Sequence, residues 1–414
     1  MTLRLLPALL CGLFALMPLV ATAVDAPHAA SPAPVPAVPG NGLALRPPMG
    51  WNSWNHFAGR ITAKDVRAMA DAMVSSGMRD AGYVYVNIDD TWEGTRTAAG
   101  EIRANDKFGD MKALADYVHA RGLKLGIYSS PGATTCAGFL GSHGHEDSDA
   151  RTFATWGVDF LKYDYCGARD LYPVTLENQQ ALFRRMGAAL RKTGRPMVYS
   201  LSQSGDFDIW RWGPGTGANM WRTTPDISDD WTSMSQRGFR QLDLTVWSGP
   251  GHWNDPDMLE IGNGGMTPDE YRTQMSLWSL LPAPLLAGND LTSMDAATRD
   301  ILLNREVIAV DQDPAGKPAR RIEKQGDVEV LVRDMSDGSV VVGLFNRGDR
   351  PAPVSIPWQR VHARFGSGAH VRDLWAHTSR TETSPFHAVI ARHGVILLRL
   401  TPMAAARILP SRHA

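Results

Sequence analysis

Residues 158–166, VDFLKYDYC, decide what kind of sheet this chain builds. Val158 and Phe160 alternate across Asp159, and the β-branched and aromatic content predicts a strand. Residues two apart on a strand share a face, so Lys162 and Asp164 point the same way at its C-terminal end. A cation beside a carboxylate favours the ionised acid. Two readings fit the nonamer: an ion pair closing a sheet edge, which is the commoner use of such a pair, and a charged carboxylate held ready to attack.

Similar runs recur on both sides: YVYVNIDD at 83–90, LKLGIYSS at 123–130, PMVYSLSQ at 196–203 and PAPLLAGNDL at 282–291. Helical patterns separate them. Val66, Met69, Ala70, Met73 and Val74 recur at helical spacing, Thr62 with Asp65 forms a capping box, and Gly77 supplies the stop. A second helix is predicted from Asp110 to Arg121, ending at Gly122. Strands alternating with helices mean a parallel sheet with right-handed crossovers. Roughly eight strand candidates favour a closed (β/α)8 TIM barrel over an open doubly wound sheet, and no G-x-G-x-x-G follows an early strand. The barrel is expected over residues 41–313. Polar residues at strand C-termini then belong to the active face, namely Asp89, Asp90, Tyr128, Lys162, Asp164, Ser200 and Gln203.

After Asp313 the texture changes to short β-rich runs separated by turns such as DGS at 337–339 and RGD at 347–349. This predicts a C-terminal antiparallel β-sandwich over residues 314–402, followed by a loose tail at 403–414. The RGD is read as a hairpin turn rather than an adhesion signal.

The 414 residues carry a formal net charge of -1 and 43% hydrophobic residues, an ordinary globular balance with no basic excess to meet nucleic acid. Residues 1–23 begin with one arginine, run apolar and finish with Ala21 and Ala23, the pattern of a secretory signal peptide rather than a membrane anchor. Residues 24–40 form a Pro/Ala-rich linker. The expected location is therefore the periplasm or the outside of the cell. With Cys11 in the leader, Cys136 and Cys166 remain, and an even pair in an exported protein reads as one disulfide. Two cysteines make a poor zinc site, H-E-x-x-H is absent, and neither a catalytic metal nor a cofactor is expected.

Acidic residues concentrate near the predicted strand ends: Asp89, Asp90, Asp164, Asp226, Asp229, Asp230, Asp255 and Asp257. Trp51, Trp54, Trp92, Trp221, Trp231 and Trp253 accompany them. Carboxylates and tryptophans around a barrel mouth suit hydrolysis of a sugar acetal, which needs one carboxyl group to attack or activate water and another to protonate the leaving oxygen.

The motifs PPMGWNSWNHF at 47–57, VNIDDTW at 86–92, GLKLGIYSSPG at 122–132, GSHGHEDSDARTFATWGVDFLKYDYC at 141–166, WRTTPDISDDW at 221–231 and GHWNDPDMLEIGN at 251–263 resemble family 27 glycoside hydrolases. These are the α-galactosidases and α-N-acetylgalactosaminidases, and the resemblance is colinear from about Asn41 to about Leu400. It implies a retaining, exo-acting α-galactosidase acting on terminal galactosides. Asp164 is then the nucleophile and Asp226 the general acid/base, with Lys162 holding sugar hydroxyls and the nucleophile's charge and Arg222 beside the site. Asp89 and Asp90 resemble the pair that grips the 4- and 6-hydroxyls, Trp54 lies against the ring, Tyr128 is near the nucleophile, and Asp255 and Met258 line the pocket. Negative charge on Asp164 is expected to keep Asp226 protonated. The resemblance also implies the Cys136–Cys166 bridge, whereas Gly59 and Thr91 stand where relatives often carry a second one.

SLSQSG at 200–205 departs from the family pattern. Many α-galactosidases have Cys-Glu at Ser202 and Gln203, the glutamate meeting the 2-hydroxyl, while N-acetylgalactosaminidases have small residues there. Gln203 keeps hydrogen-bonding capacity and is too long to leave an acetamido pocket, so galactose or L-arabinopyranose is favoured. Trp210 and Trp212 either form an aglycone subsite or pack beneath their Gly-rich loop. The alternatives are a β-L-arabinopyranosidase or another glycosidase of the family, and a non-catalytic carbohydrate-binding protein; the last would have lost Asp164 or Asp226.

Overall fold

The computed structural model describes residues 40–383 and 385–403. The expected signal peptide with Cys11, linker residues 24–39 and tail residues 404–414 lie outside them. Among the described residues no helix is long and apolar enough to cross a membrane.

Eight short parallel strands form one sheet: β1 (Met49–Asn52), β2 (Tyr85–Asn87), β3 (Lys124–Ser129), β4 (Phe160–Asp164), β5 (Val198–Ser202), β6 (Met220–Arg222), β7 (Trp253–Asp255) and β8 (Leu285–Ala287). They neighbour one another in chain order, β8 pairs with β1, and a bridge between Leu259 and Ala287 carries the chain after β7 onto β8. The sheet is thus curled into a TIM barrel. Tyr85, Phe160, Val198, Met220, Trp253, Met258 and Leu286 fill its interior as one apolar cluster. Because Phe160 points inward, the period of two turns Lys162 and Asp164 inward above it. The intervening Tyr163 faces out and meets Phe183 edge-on, ring centroids 6.1 Å apart.

Helices α1 (Ala63–Ser75), α2 (Met111–His119), α3 (Glu146–Trp156), α4 (Leu176–Lys192), α5 (Trp231–Arg240) and α6 (Pro268–Leu280) help to cover the outside. The capping box of α1 is present as expected, Thr62 accepting from the Asp65 N–H while Asp65 accepts from Thr62. Asp110 caps α2. Trp210 and Trp212 are buried in the core beneath their loop, which decides between their two readings.

The C-terminal domain pairs a six-stranded antiparallel sheet with a two-stranded one, β12 (Ala352–Ile356) with β15 (Phe386–Ile390). The larger sheet runs β9 (Arg320–Gln325), β10 (Val328–Asp334), β11 (Val340–Asn346), β16 (Val395–Pro402), β13 (Ala369–Asp373) and β14 (Thr378–Glu382). Valines and leucines from both faces form a separate apolar core. The domain is bolted to the barrel: Arg333 is fully buried and donates to the Ser279 carbonyl of α6. In the RGD turn, Arg347 lies over Phe239 of α5, 4.3 Å from the ring centre. Its arginine therefore serves the interface between domains.

Candidate active site

One cavity of about 630 Å³ opens at the C-terminal ends of the barrel strands, and Trp54, Asp89, Asp90, Tyr128, Lys162, Asp164, Gln203, Arg222, Asp226 and Met258 all border it. Asp164 sits at the end of β4. Its Oδ1 accepts from the Tyr165 N–H at 2.8 Å, and its Oδ2 accepts from the Ser202 hydroxyl at 3.1 Å. Ser202 is its register partner on β5, so two strand ends fix the carboxylate. Burial raises the Asp164 pKa above the ordinary range, against the pull of Lys162 and the Tyr165 N–H; Asp89 and Asp226 add to the rise.

Lys162 donates to Asp89 Oδ2 at 2.8 Å, and Asn52 donates to the same oxygen at 2.8 Å. Its pKa is raised despite burial, because Asp89 and Asp164 are both close. Asp90 accepts from the Thr91 N–H, the Thr135 hydroxyl and the Ala137 N–H at 2.7, 2.7 and 2.8 Å. The adjacent carboxylates are thus satisfied separately, one by a cation and an amide, the other by a loop. That loop carries Cys136, which is bonded to Cys166 with their Cα atoms 4.9 Å apart. Tyr128 donates its hydroxyl to Cys136 Sγ at 3.0 Å. Both sulfurs lie within 4.8 Å of an Asp164 oxygen, but sulfurs joined to one another offer no thiolate to a metal.

Across the mouth, Asp226 follows β6 on an open loop with its side chain 85% exposed. Arg222 donates to it at 3.1 Å and also bonds Asp257 at 2.6 Å. The desolvation that Asp226 suffers is outweighed by Arg222 and Lys162, which hold its pKa below the usual carboxylate range. The expectation that Asp164 would keep it protonated fails in this state, because two cations reach it.

Two further expectations need correcting. Asp255 does not border the cavity: it is buried behind the wall, its Oδ1 accepting from the Asp257 N–H at 2.8 Å, and burial pushes its pKa up to about 6. Asp257 lines the cavity instead, since its backbone turns there into the left-handed region at φ 90°. Gln203 borders the cavity, but its amide donates to Gln179 and the Asp206 carbonyl at 2.9 and 2.7 Å and accepts from the Asp206 N–H at 2.6 Å. Little hydrogen-bonding capacity is left for a ligand.

Glu260, also unforeseen, borders the cavity while accepting from the side-chain amides of Asn55 and Asn263. The signal for Ser202 is the period of two, which puts it on the face of Val198 and Ser200 at its strand's end, and Asp257 stands in the acidic cluster.

The family model for α-galactosidase A matches residues 46–313, and that for the α-galactosidase C-terminal β-sandwich domain matches residues 325–400. The chain belongs to the α-galactosidase family, glycoside hydrolase family 27. It is 42% identical over 383 residues to α-galactosidase A of Cellvibrio japonicus, covering 87% of this chain and 93% of that one. It is 44% identical over 372 residues to the α-galactosidase of Cyamopsis tetragonoloba, covering 87% and 88%. Among solved structures, α-galactosidase I of Mortierella vinacea superimposes with a TM-score of 0.83 at 36% identity, covering 88% of this chain and 99% of that one. Within this α-galactosidase family chain the noncovalent contacts at Gly59 and Thr91 take on meaning. Lys107 Nζ donates to the Gly59 carbonyl at 2.9 Å and to the Thr91 hydroxyl at 3.0 Å, tying together the two positions that lack cysteine.

Proposed function

We propose that the protein is a retaining, exo-acting α-galactosidase that hydrolyses terminal α-D-galactosyl residues of oligo- or polysaccharides by double displacement. The observation that carries this reading is the placement of Asp164 and Asp226 on one cavity, the first half-buried and held by two hydrogen bonds, the second on the open rim. A recessed, oriented carboxylate suits attack at the anomeric carbon, and a rim carboxyl suits the leaving group's exit side. Asp164 forms the bond to the anomeric carbon as Asp226 gives its proton to the departing oxygen. Water then attacks the glycosyl ester, its proton passes to Asp226, and Asp164 leaves as the carboxylate. Two inversions return the α configuration.

Substrate in the mouth covers Asp226 and removes water from it, which raises its pKa toward the acid form the first step needs. Asp89 and Lys162 at the inner end supply paired acceptors and donors for sugar hydroxyls, with Asp90 behind them. Gln203, held by Gln179 and Asp206, keeps its bulk at the cavity wall, which supports galactose over N-acetylgalactosamine. The apolar leader pattern and the disulfide support export to the periplasm or beyond.

An NMR time course on an α-galactoside tests the proposal. The expected first product is α-galactose, and Asp164→Asn abolishes turnover because an amide cannot form the glycosyl ester. Initial β-galactose would overturn the mechanism, and failure to release galactose would overturn the substrate.

A further inference from the structure

We infer that His393, on the C-terminal sandwich, is a positioning residue for the loop that carries Asp226, so that the sandwich takes part in setting the acid/base geometry. This rests on the reading of Asp226 as the acid/base. His393 lies in the connection between β15 and β16, with only 3% of its surface exposed. Its imidazole lies flat on the indole of Trp231, ring centres 3.9 Å apart and planes 11° from parallel. Trp231 is the first residue of α5, and the segment 226–230 immediately before it is the acid/base loop.

The ring is held from both edges. Nδ1 is 2.6 Å from Glu270 Oε1 of α6, and Nε2 is 3.2 Å from Asp349 Oδ1 of the RGD turn. The His393 carbonyl accepts from the Thr273 hydroxyl of α6 at 2.7 Å. His393 adopts a φ of 55°, a conformation that a non-glycine residue keeps only where its surroundings over-determine it.

A second path leads to the same loop. Tyr271, next to Glu270 on α6, donates its hydroxyl to the Asp229 carboxylate at 2.9 Å. Inside the loop, the Ile227 N–H donates to Asp257 at 2.9 Å and the Ser228 N–H donates to the Ser233 hydroxyl at 2.7 Å. Among the described residues the Asp226 side chain has one hydrogen-bonding partner, Arg222. Its position is therefore set by the loop, and His393 braces the loop's far end by stacking on Trp231 and holding Glu270.

A brace that only stabilises would, when removed, lower the melting temperature and leave the dependence on leaving group untouched. A positioning residue does otherwise, since misplacing a proton donor penalises poor leaving groups most. The test is His393→Ala in the full chain, with kcat/KM measured on a galactosyl-hexose disaccharide and on a nitrophenyl galactoside. The expected result is a loss of about tenfold or more on the disaccharide and at least threefold less on the nitrophenyl substrate. Equal losses, or a lower Tm with both rates intact, would overturn the inference. If His393→Ala does not fold, Glu270→Gln and Trp231→Phe are judged by the same ratio. Asp226→Ala on the same two substrates separates the two readings. If it shows no leaving-group dependence the acid/base assignment fails, and if it does while the His393 variants do not, only the role of His393 fails.

Discussion

Lys162 bonds Asp89 at 2.8 Å across the barrel mouth rather than Asp164, its neighbour two residues along the same strand. Asp89 is buried and Lys162 half-buried, with 3% and 17% of their side chains exposed. Removing either leaves a charge without its partner.

A double-mutant cycle in kcat/KM on a nitrophenyl galactoside measures this pair. Lys162→Met and Asp89→Asn should each cost about 100-fold or more, and the double variant should lose clearly less than the product of the two. Additive losses would mean that the two act on the sugar independently.

The pKa directions of the proposed catalytic pair predict an acidic optimum. Burial raises Asp164, and Arg222 with Lys162 lowers Asp226 despite the desolvation it suffers. The proton of a singly protonated pair therefore favours Asp164, so the productive form, with Asp226 protonated, is a minor one. The kcat/KM profile on a disaccharide should be a bell peaking below neutrality and falling as pH rises and Asp226 loses its proton. A maximum above neutrality would contradict this assignment.

Much of this site was legible because strand periodicity is strict. Once Phe160 faces inward, Lys162 and Asp164 must follow, and the same rule stacks Val198, Ser200 and Ser202 on the next strand. Asp255 and Asp257 were harder, because the left-handed turn at Asp257 exchanges which carboxylate meets the cavity, and no glycine marks that turn. The engagement of the Gln203 amide is hard to foresee for a different reason. Its partner Gln179 sits on α4, and nothing in a linear sequence announces a side-chain contact between a strand end and a neighbouring helix.

Glu260 should make stability pH-dependent. Burial pushes its pKa up to about 8 from an ordinary 4.5, with Asp257 and Asp229 adding to the rise against the Asn263 and Asn55 hydrogen bonds. The folded state thus binds this proton more tightly than the unfolded chain does. The stabilisation is fully present below the unfolded value and is lost as pH rises toward 8. In Glu260→Gln the fall in Tm between those limits should shrink, as thermal scans at both ends would show. An unchanged slope would assign the effect elsewhere.

The Gly59 and Thr91 positions should accept a covalent bridge. A Cβ built on Gly59 lies 4.0 Å from the Thr91 Cβ, inside the usual disulfide range of roughly 3.5–4.5 Å. Cysteine also removes the β-branch from a residue held at φ 84°. The double variant Gly59→Cys, Thr91→Cys should gain up to about 3 kcal/mol and several degrees in Tm, reversed by a reductant. No shift between oxidised and reduced samples would show that the bond does not form.

The lysine tie at this place has a consequence for how the chain matures. An ammonium joining the Gly59 carbonyl to the Thr91 hydroxyl needs no oxidant and forms with the backbone around it. Among the described residues Cys136 and Cys166 have only each other to pair with, whereas four cysteines would admit three connectivities. Oxidative folding of this part of the protein has one outcome, with no wrong pairing for a disulfide isomerase to undo.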